Sequence, residues 1–221
     1  CRENLAELFH VTDPLRIVFT SNVTESINLV LKGFLHSGDQ VITSSMEHNS
    51  VMRPLRELEK KGVGVKVIPC SADGTLAPED IEKAITKNTA LIVLNHASNV
   101  TGTLLPIRSV GEIARKRNIL FLVDAAQTAG AFPLEMGKDY IDLLAFTGHK
   151  GLFGPTGTGG LVIGEKVDIR RIAPLKTGGT GSRSESENHP DFLPDLYESG
   201  TPNIAGIAGL NAGIHYILKR G

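Results

Sequence analysis

The residue best suited to chemistry is Lys150, a single lysine that follows the apolar run at residues 143–146. Such a run is typical of a buried strand. A lysine at the end of a buried strand can lose its contact with water, which lowers the pKa of the amine and makes it a nucleophile toward aldehydes. The glycines of the next turn would let the backbone fold closely around a group held by that amine: Gly151, Gly154, Gly157, Gly159 and Gly160. A surface lysine in a loop is the alternative interpretation.

Asp124 and several hydroxyl side chains are the polar groups that complete this chemistry. Asp124 ends a strand predicted at 119–123, and Thr24 lies with Ser21 and Asn22 at the start of the helix after the first strand. Hydroxyls and free backbone N–H groups at a helix N-terminus suit a phosphate. A Schiff-base lysine, a carboxylate for a ring nitrogen and a phosphate site together indicate pyridoxal phosphate as the cofactor. We expect Asp124 to be the only acid at a strand end suited to contact the ring nitrogen. The alternative is that Asp124 caps a helix.

The framework that must position these residues is an alternation of strands and helices. Apolar runs predict strands at residues 16–20, 40–44, 63–69, 90–94, 119–123, 141–146 and 161–163. Apolar residues at helical spacing lie between most of these strands. The pattern predicts an α/β fold with a doubly wound, mostly parallel sheet. The last strand follows after too few residues for a crossover helix, so we expect it to be the one antiparallel strand.

The C-terminal part of the chain combines an aperiodic segment with a closing helix. Residues 177–200 are polar and rich in glycine and serine, which predicts a mobile loop. The closing helix is predicted to begin at Pro202, with Thr201 as its N-cap. No linker marks a second domain, so residues 1–221 are interpreted as one domain.

Composition and charge exclude several classes of function. The 221 residues carry a formal net charge of −1, which gives no reason to expect nucleic acid or a membrane as a partner. No apolar run approaches transmembrane length and no signal-peptide pattern is present, so we expect a cytoplasmic protein. Cys1 and Cys70 lack metal-ligand spacing, so no metal is expected, and Cys70 is interpreted as a buried structural thiol. Phosphate-loop and dinucleotide motifs are missing, which leaves a nucleotide-binding protein as a distant alternative.

Six segments of the chain resemble those of a known family, both in their order and in their amino-acid residues. They lie at residues 22–30, 46–51, 97–102, 123–127, 147–150 and 198–203. Together they resemble the class V, fold type I pyridoxal-phosphate enzymes, specifically the cysteine desulfurase and selenocysteine lyase branch. The resemblance covers essentially the whole chain. It implies that residues 1–221 are the pyridoxal-phosphate-binding large domain, truncated at both ends and lacking the small domain.

The resemblance implies a role for each residue around the cofactor ring. Lys150 would hold the cofactor as a Schiff base and shuttle the α-proton of the substrate. Asp124 would pair with the pyridine nitrogen and Gln127 with the ring hydroxyl, an exposed glutamine being the alternative for Gln127. His48 would stack on the ring and take part in proton transfer, unless it is a solvated histidine at a helix start. Asn99 would lie beside the ring oxygen and the substrate carboxylate.

The same resemblance implies a phosphate site and a reaction. Thr24, Thr147 and His149 would bind the phosphate, and Thr201 would reach the phosphate of a neighbouring subunit, which implies a homodimer. L-cysteine would become L-alanine, its sulfur passing to an enzyme thiol and then to a protein acceptor. The attacking cysteine and an arginine for the substrate carboxylate are expected in the absent small domain. Transamination, selenocysteine cleavage and a non-catalytic α/β binding domain are the alternatives.

Overall fold

A seven-stranded sheet forms the centre of the fold in the computed structural model, which describes residues 1–220. The strands are β1 (Ile17–Thr20), β2 (Gln40–Ser44), β3 (Gly64–Ile68), β4 (Thr89–Asn95), β5 (Leu120–Asp124), β6 (Leu143–Thr147) and β7 (Gly159–Ile163). They lie in the order β1-β7-β6-β5-β4-β2-β3. Only β7 is antiparallel to its neighbours, β1 and β6. The prediction of a mostly parallel sheet with one antiparallel strand is confirmed.

Helices cover both faces of the sheet, which confirms the doubly wound architecture. The helices are α1 (Arg2–Phe9), α2 (Val23–Phe34), α3 (Asn49–Glu59), α4 (Pro78–Ala84), α5 (Ile107–Lys116) and α6 (Ile204–Arg220). Successive side chains of a strand point to opposite faces. In β4, Leu91 and Val93 accordingly pack with α2 and α3, while Ile92 and Leu94 pack with α1, α4, α5 and α6.

The glycines of β7 are explained by close packing. A Cβ atom on Gly160 would lie 2.5 Å from the ring of Phe146 on β6. A Cβ atom on Gly159 would lie 2.7 Å from the Cα atom of Asn22, the residue that caps α2. Packing within the protein thus accounts for Gly159 and Gly160, and the expectation that the glycines of this turn fold the chain around a ligand stays a prediction. Gly159 and Gly160 bring the N-terminus of α2 against the sheet, next to the end of β6.

The start of α6 differs from the prediction. The helix begins at Ile204, and the Oδ1 atom of Asn203 accepts a hydrogen bond of 3.0 Å from the backbone N–H of Gly206. Asn203 is therefore the N-cap, and the prediction of Thr201 as the cap is wrong. A capping side chain must directly precede the helix to reach the free N–H groups of its first turn, and Thr201 lies too early in the chain.

Residues 177–200 form neither a helix nor a strand, but their C-terminal end is fixed to the core. The hydroxyl of the buried Tyr197 lies 2.8 and 3.0 Å from the carbonyl oxygens of Ile169 and Ile172 and shares its one hydrogen between them. Glu198 accepts a hydrogen bond from the N–H of Phe19 on the edge strand β1. The mobility of this segment stays a prediction, and these contacts restrict it to the part before Tyr197.

Within the described part of the chain, no helix is both long enough and apolar enough to cross a membrane.

Candidate functional site

A cavity of about 70 Å³ lies at the carboxyl ends of the parallel strands, where ligands bind in sheets of this kind. It is lined by side chains that follow β2, β4, β5 and β6. Five of the residues singled out from the sequence line it together: His48, Asn99, Asp124, Gln127 and Lys150. Residues that lie far apart in the sequence are thus brought to one place by the sheet topology.

Asp124 lies at the bottom of the cavity, as the last residue of β5. Its side chain is 4% exposed, and its Oδ1 atom accepts a hydrogen bond of 2.9 Å from the N–H of Ala126. Burial raises the pKa of this carboxyl, while the Ala126 N–H and the charges of Lys150 and His48 lower it in part. The residues after Asp124 form turns, so no helix is capped here. The charged form of such a buried carboxyl is stabilised most by a cation placed next to it.

His48 is the N-cap of α3, and this role fixes where its ring proton lies. The Nδ1 atom accepts the backbone N–H of Ser50 at 3.1 Å. An acceptor nitrogen carries no proton, so the neutral imidazole holds its proton on Nε2. The sequence interpretation of a histidine at a helix start is therefore correct, and the same side chain also lines the cavity.

Lys150 lies in the turn after β6 and is exposed. The expectation that a buried position would remove water from its amine is wrong, because β6 ends at Thr147 and the chain then turns to the surface. The turn itself is well fixed. The N–H of Gly148 donates to the Thr158 carbonyl at 2.8 Å, and the N–H of Gly154 donates to the Gly148 carbonyl at 2.8 Å.

The residues expected to bind phosphate lie beside the cavity. Thr147 is buried, and its Oγ1 atom is 3.1 Å from Nδ1 of the exposed His149. Thr24 is exposed in the first turn of α2, whose N-cap Asn22 packs against Gly159 next to Thr147. A helix N-terminus with hydroxyls and a histidine is a suitable anion site.

Thr201 is not brought to the cavity that holds Lys150. It is exposed and lines a separate cleft of about 260 Å³ beside the start of α2. Within one subunit, Thr201 is therefore not among the residues that line the cavity of Lys150. Its predicted contact with a neighbouring subunit stays a prediction.

Glu47 is a further candidate, at a strand end, for which no role was predicted from the sequence. Burial raises the pKa of Glu47 to about 8, although the Ser44 hydroxyl and the Asn95 N–H lower it, and the charge of Asp124 raises it further. Its carboxyl accepts hydrogen bonds from the Ser44 hydroxyl at 2.7 Å and the Asn95 N–H at 2.9 Å. The expectation that Asp124 is the only acid at a suitable strand end is wrong. The sequence signal for Glu47 was its position directly before His48. Its contact with Asn95, however, depends on the pairing of β2 with β4, which the sequence does not show.

Asn95, the last residue of β4, supports the same loop and faces the cavity. Its Nδ2 atom donates a hydrogen bond of 2.7 Å to the Met46 carbonyl. Its Oδ1 atom is buried and has no hydrogen-bond partner within residues 1–220. A buried acceptor without a donor, next to the buried acid Asp124, fits a ligand that brings a polar hydrogen. With the amine of Lys150 and the anion site at α2, these groups fit pyridoxal phosphate.

The two cysteines do not line this cavity. Cys70 follows β3, the edge strand of the sheet, and is partly exposed, so its interpretation as a buried thiol is wrong. Cys1 directly precedes α1 and is also partly exposed.

Similarities to known proteins agree with this geometry. Residues 1–221 match the family model described as Aminotransferase class-V. A probable cysteine desulfurase of Methanothermobacter thermautotrophicus is 38% identical over 224 residues, which cover 100% of this chain and 55% of that protein. The apo structure of a cysteine desulfurase from Thermococcus onnurineus NA1 has a TM-score of 0.89 at 36% identity, covering 100% of this chain and 56% of that one.

A second similar structure is a mutant of C-DES with glycine covalently linked to its PLP cofactor. It has a TM-score of 0.86 at 29% identity, over 100% of this chain and 60% of that one. The chain thus spans little more than half the length of the proteins it resembles.

Proposed function

Because the chain belongs to the aminotransferase class-V family over residues 1–221, we propose that it forms the cofactor-binding large domain of a cysteine desulfurase-like enzyme. Its cofactor is pyridoxal 5′-phosphate. The observation that carries the proposal is the meeting of His48, Asp124 and Lys150 in one cavity beside the N-terminus of α2. Similar proteins named cysteine desulfurase support the reaction class.

The proposed cofactor supplies an aldehyde for an amine and a ring that withdraws electrons from the substrate. Lys150 would hold that aldehyde through its amine and would act as the base for the α-proton of the amino acid. Asp124 would hold the ring nitrogen in its protonated form, because a cation stabilises a buried carboxylate. His48 would face the ring and offer its Nε2–H as a donor.

The remaining side chains orient the ligand. Asn99 and Gln127 line the cavity with amide groups that can bind the ring oxygen and the substrate carboxylate. Thr24, Thr147 and His149 bind the phosphate together with the N-terminus of α2. Thr201 reaches the phosphate of a second subunit in a homodimer, which its position outside the cavity of its own subunit supports.

The proposed substrate is L-cysteine, which leaves as L-alanine. Its sulfur passes to a thiol that we assign to a part of the enzyme outside this chain, because neither Cys1 nor Cys70 lines the cavity. The relatives are much longer than this chain, which supports a large domain as the unit in hand. A protein then accepts the sulfur, and the cytoplasmic location stays a prediction.

The test is to map the lysine that captures the cofactor. The protein is saturated with pyridoxal phosphate, reduced with borohydride, digested and analysed by mass spectrometry. We expect the pyridoxyl mass on Lys150, and its loss in Lys150→Ala. The matched control is Lys176→Ala, since Lys176 is also exposed but pairs with Glu25 at 3.1 Å outside the cavity. A label on another lysine, or on none, contradicts the assignment.

A further inference from the structure

We propose that Ser50 is a positioning residue that fixes the ring proton of His48 on Nε2 and links His48 to Asp124 through one shared hydroxyl. The proposal deepens the proposed function, because it concerns side chains that face the same ligand.

Ser50 is built into the cavity wall rather than exposed on α3. It is 5% exposed, lies in the first turn of α3 and lines the cavity with His48 and Asp124. Its backbone N–H donates to Nδ1 of His48 at 3.1 Å, and its Oγ atom lies 2.9 Å from the same nitrogen. A backbone N–H can only donate, so Nδ1 must be the acceptor.

The hydroxyl of Ser50 has one hydrogen, and its Oγ atom lies within hydrogen-bond distance of Nδ1 of His48. The proposed second acceptor is the carboxylate of Asp124, which lines the same cavity. Burial raises the pKa of this carboxyl, and Ser50 is the smallest of the influences that lower it. Donation to Nδ1 favours the Nε2–H form of the ring, and donation to Asp124 favours the charged carboxylate. One side chain thus acts on both groups.

The chemical consequence concerns the direction in which His48 can move a proton. With Nδ1 occupied, the neutral ring offers an N–H donor and no free lone pair to the ligand. His48 is therefore a hydrogen-bond donor at Nε2, and Lys150 is left as the base.

The experiment reads the two side chains by NMR without added cofactor. Ring ¹⁵N shifts of His48 give the protonated nitrogen, and the ¹³C shift of the Asp124 carboxyl gives its pKa. In the unmodified chain we expect the neutral ring to be protonated on Nε2. This measurement needs no variant, and a proton found on Nδ1 overturns the proposal.

Variants separate the hydroxyl from the backbone N–H. Ser50→Ala keeps the N–H and removes the hydroxyl, so the share of rings protonated on Nδ1 should rise roughly 2- to 10-fold, the equilibrium effect of one hydrogen bond. The pKa of Asp124 should rise in the same variant, and Ser50→Thr should restore both signals. Ser26→Ala is the matched control, because Ser26 is also buried in a helix but bonds to Thr20 at 2.8 Å. Its signals should equal those of the unmodified chain.

If Ser50→Ala leaves either the His48 ring or the Asp124 carboxyl unchanged, the link between them does not exist. Because both signals are read without cofactor, they are independent of the borohydride test. A failed label on Lys150 with the expected NMR result would reject the proposed function and retain the role of Ser50.

Discussion

The two ends of the candidate site differ in how firmly the fold holds them. At the inner end, Asp124, Asn95 and Ser50 are buried, and each makes hydrogen bonds to the backbone or to His48. At the outer end, Lys150 and Thr201 are exposed and follow turns or loops. The inner end is therefore prearranged by the strands, whereas the outer end has to gain its final contacts from a ligand or a second subunit.

The largest expected effect comes from removing the charge at the inner end. Asp124→Asn keeps the size of the side chain, so we expect the fold and the capture of the cofactor to persist. The loss of the ring-nitrogen partner should slow exchange of the α-proton of a bound amino acid by on the order of 100-fold. Exchange is followed by NMR in deuterated water with the cofactor-loaded protein.

A matched control for this variant is Asp142→Asn. Asp142 is also an acid whose pKa is raised by burial, and it accepts a hydrogen bond from the N–H of Phe121 at 3.0 Å. It lies just before β6, at the amino ends of the strands, whereas the cavity lies at their carboxyl ends. Its replacement should leave exchange unchanged. Equal exchange in Asp124→Asn and the parent would contradict the ring-nitrogen role.

A second effect concerns pH, through Glu47. Its pKa in the folded protein is raised from 4.5 to about 8, so between these values the folded state holds a proton that the unfolded chain has released. Stability is then greatest at the acidic end of this window and falls as the pH rises, by at most about 1.4 kcal/mol per pH unit from this group. Glu47→Gln keeps the acceptor oxygen and should flatten that slope.

The measurement is the free energy of unfolding by urea between pH 5 and pH 8 (roughly the window in which the two states differ in bound protons). Glu57→Gln serves as the control, because Glu57 is exposed and its pKa is lowered by Lys32, which places its own effect below the window. A slope that Glu47→Gln does not change would show that Glu47 is charged in the folded protein.

At the outer end, the predicted loop gives a smaller effect, on proteolysis. The first cuts should fall among residues 178–188, which are polar and mostly exposed. They should not fall near Tyr197, whose hydroxyl is hydrogen-bonded to the carbonyl of Ile169. Cutting should be several-fold slower in a dimer if Thr201 reaches the other subunit. Limited proteolysis at several protein concentrations, read by mass spectrometry, tests this. Equal rates at every concentration would count against an interface there.

The smallest effect separates the cap of α6 from the proposed phosphate contact. Asn203→Ala removes the cap and should cost about 1 kcal/mol of unfolding free energy. Thr201→Ala removes an exposed side chain and should change stability by less than about 0.5 kcal/mol, while it weakens cofactor binding in the dimer. Thermal unfolding and a cofactor titration compare the two variants. If Thr201→Ala lowers the free energy of unfolding more than Asn203→Ala does, Thr201 rather than Asn203 is the residue that caps α6.

The sequence was sufficient for the features that depend on neighbouring residues. Apolar runs predicted each strand within a few residues, and the short connection before β7 predicted its antiparallel direction. It was insufficient where distant segments meet. The raised pKa of Glu47 follows from burial where β2, β4 and β5 end together, and to a smaller extent from the charge of Asp124 on β5. Lys150 proved exposed because its burial depends on where β6 ends, which composition does not determine.

The pairing of β1 with β7 has a consequence for the order of folding. Ile17 pairs with Val162 and Thr20 with Gly159, so partners separated by most of the chain must meet before β1 joins the sheet. Contacts between such distant residues form late, because the connecting chain loses much entropy when its ends close. α2 follows β1 directly, and its N-cap rests on Gly159. During synthesis, the anion site at α2 therefore cannot exist until β7 has emerged and docked, well after the strands that carry Asn95 and Asp124.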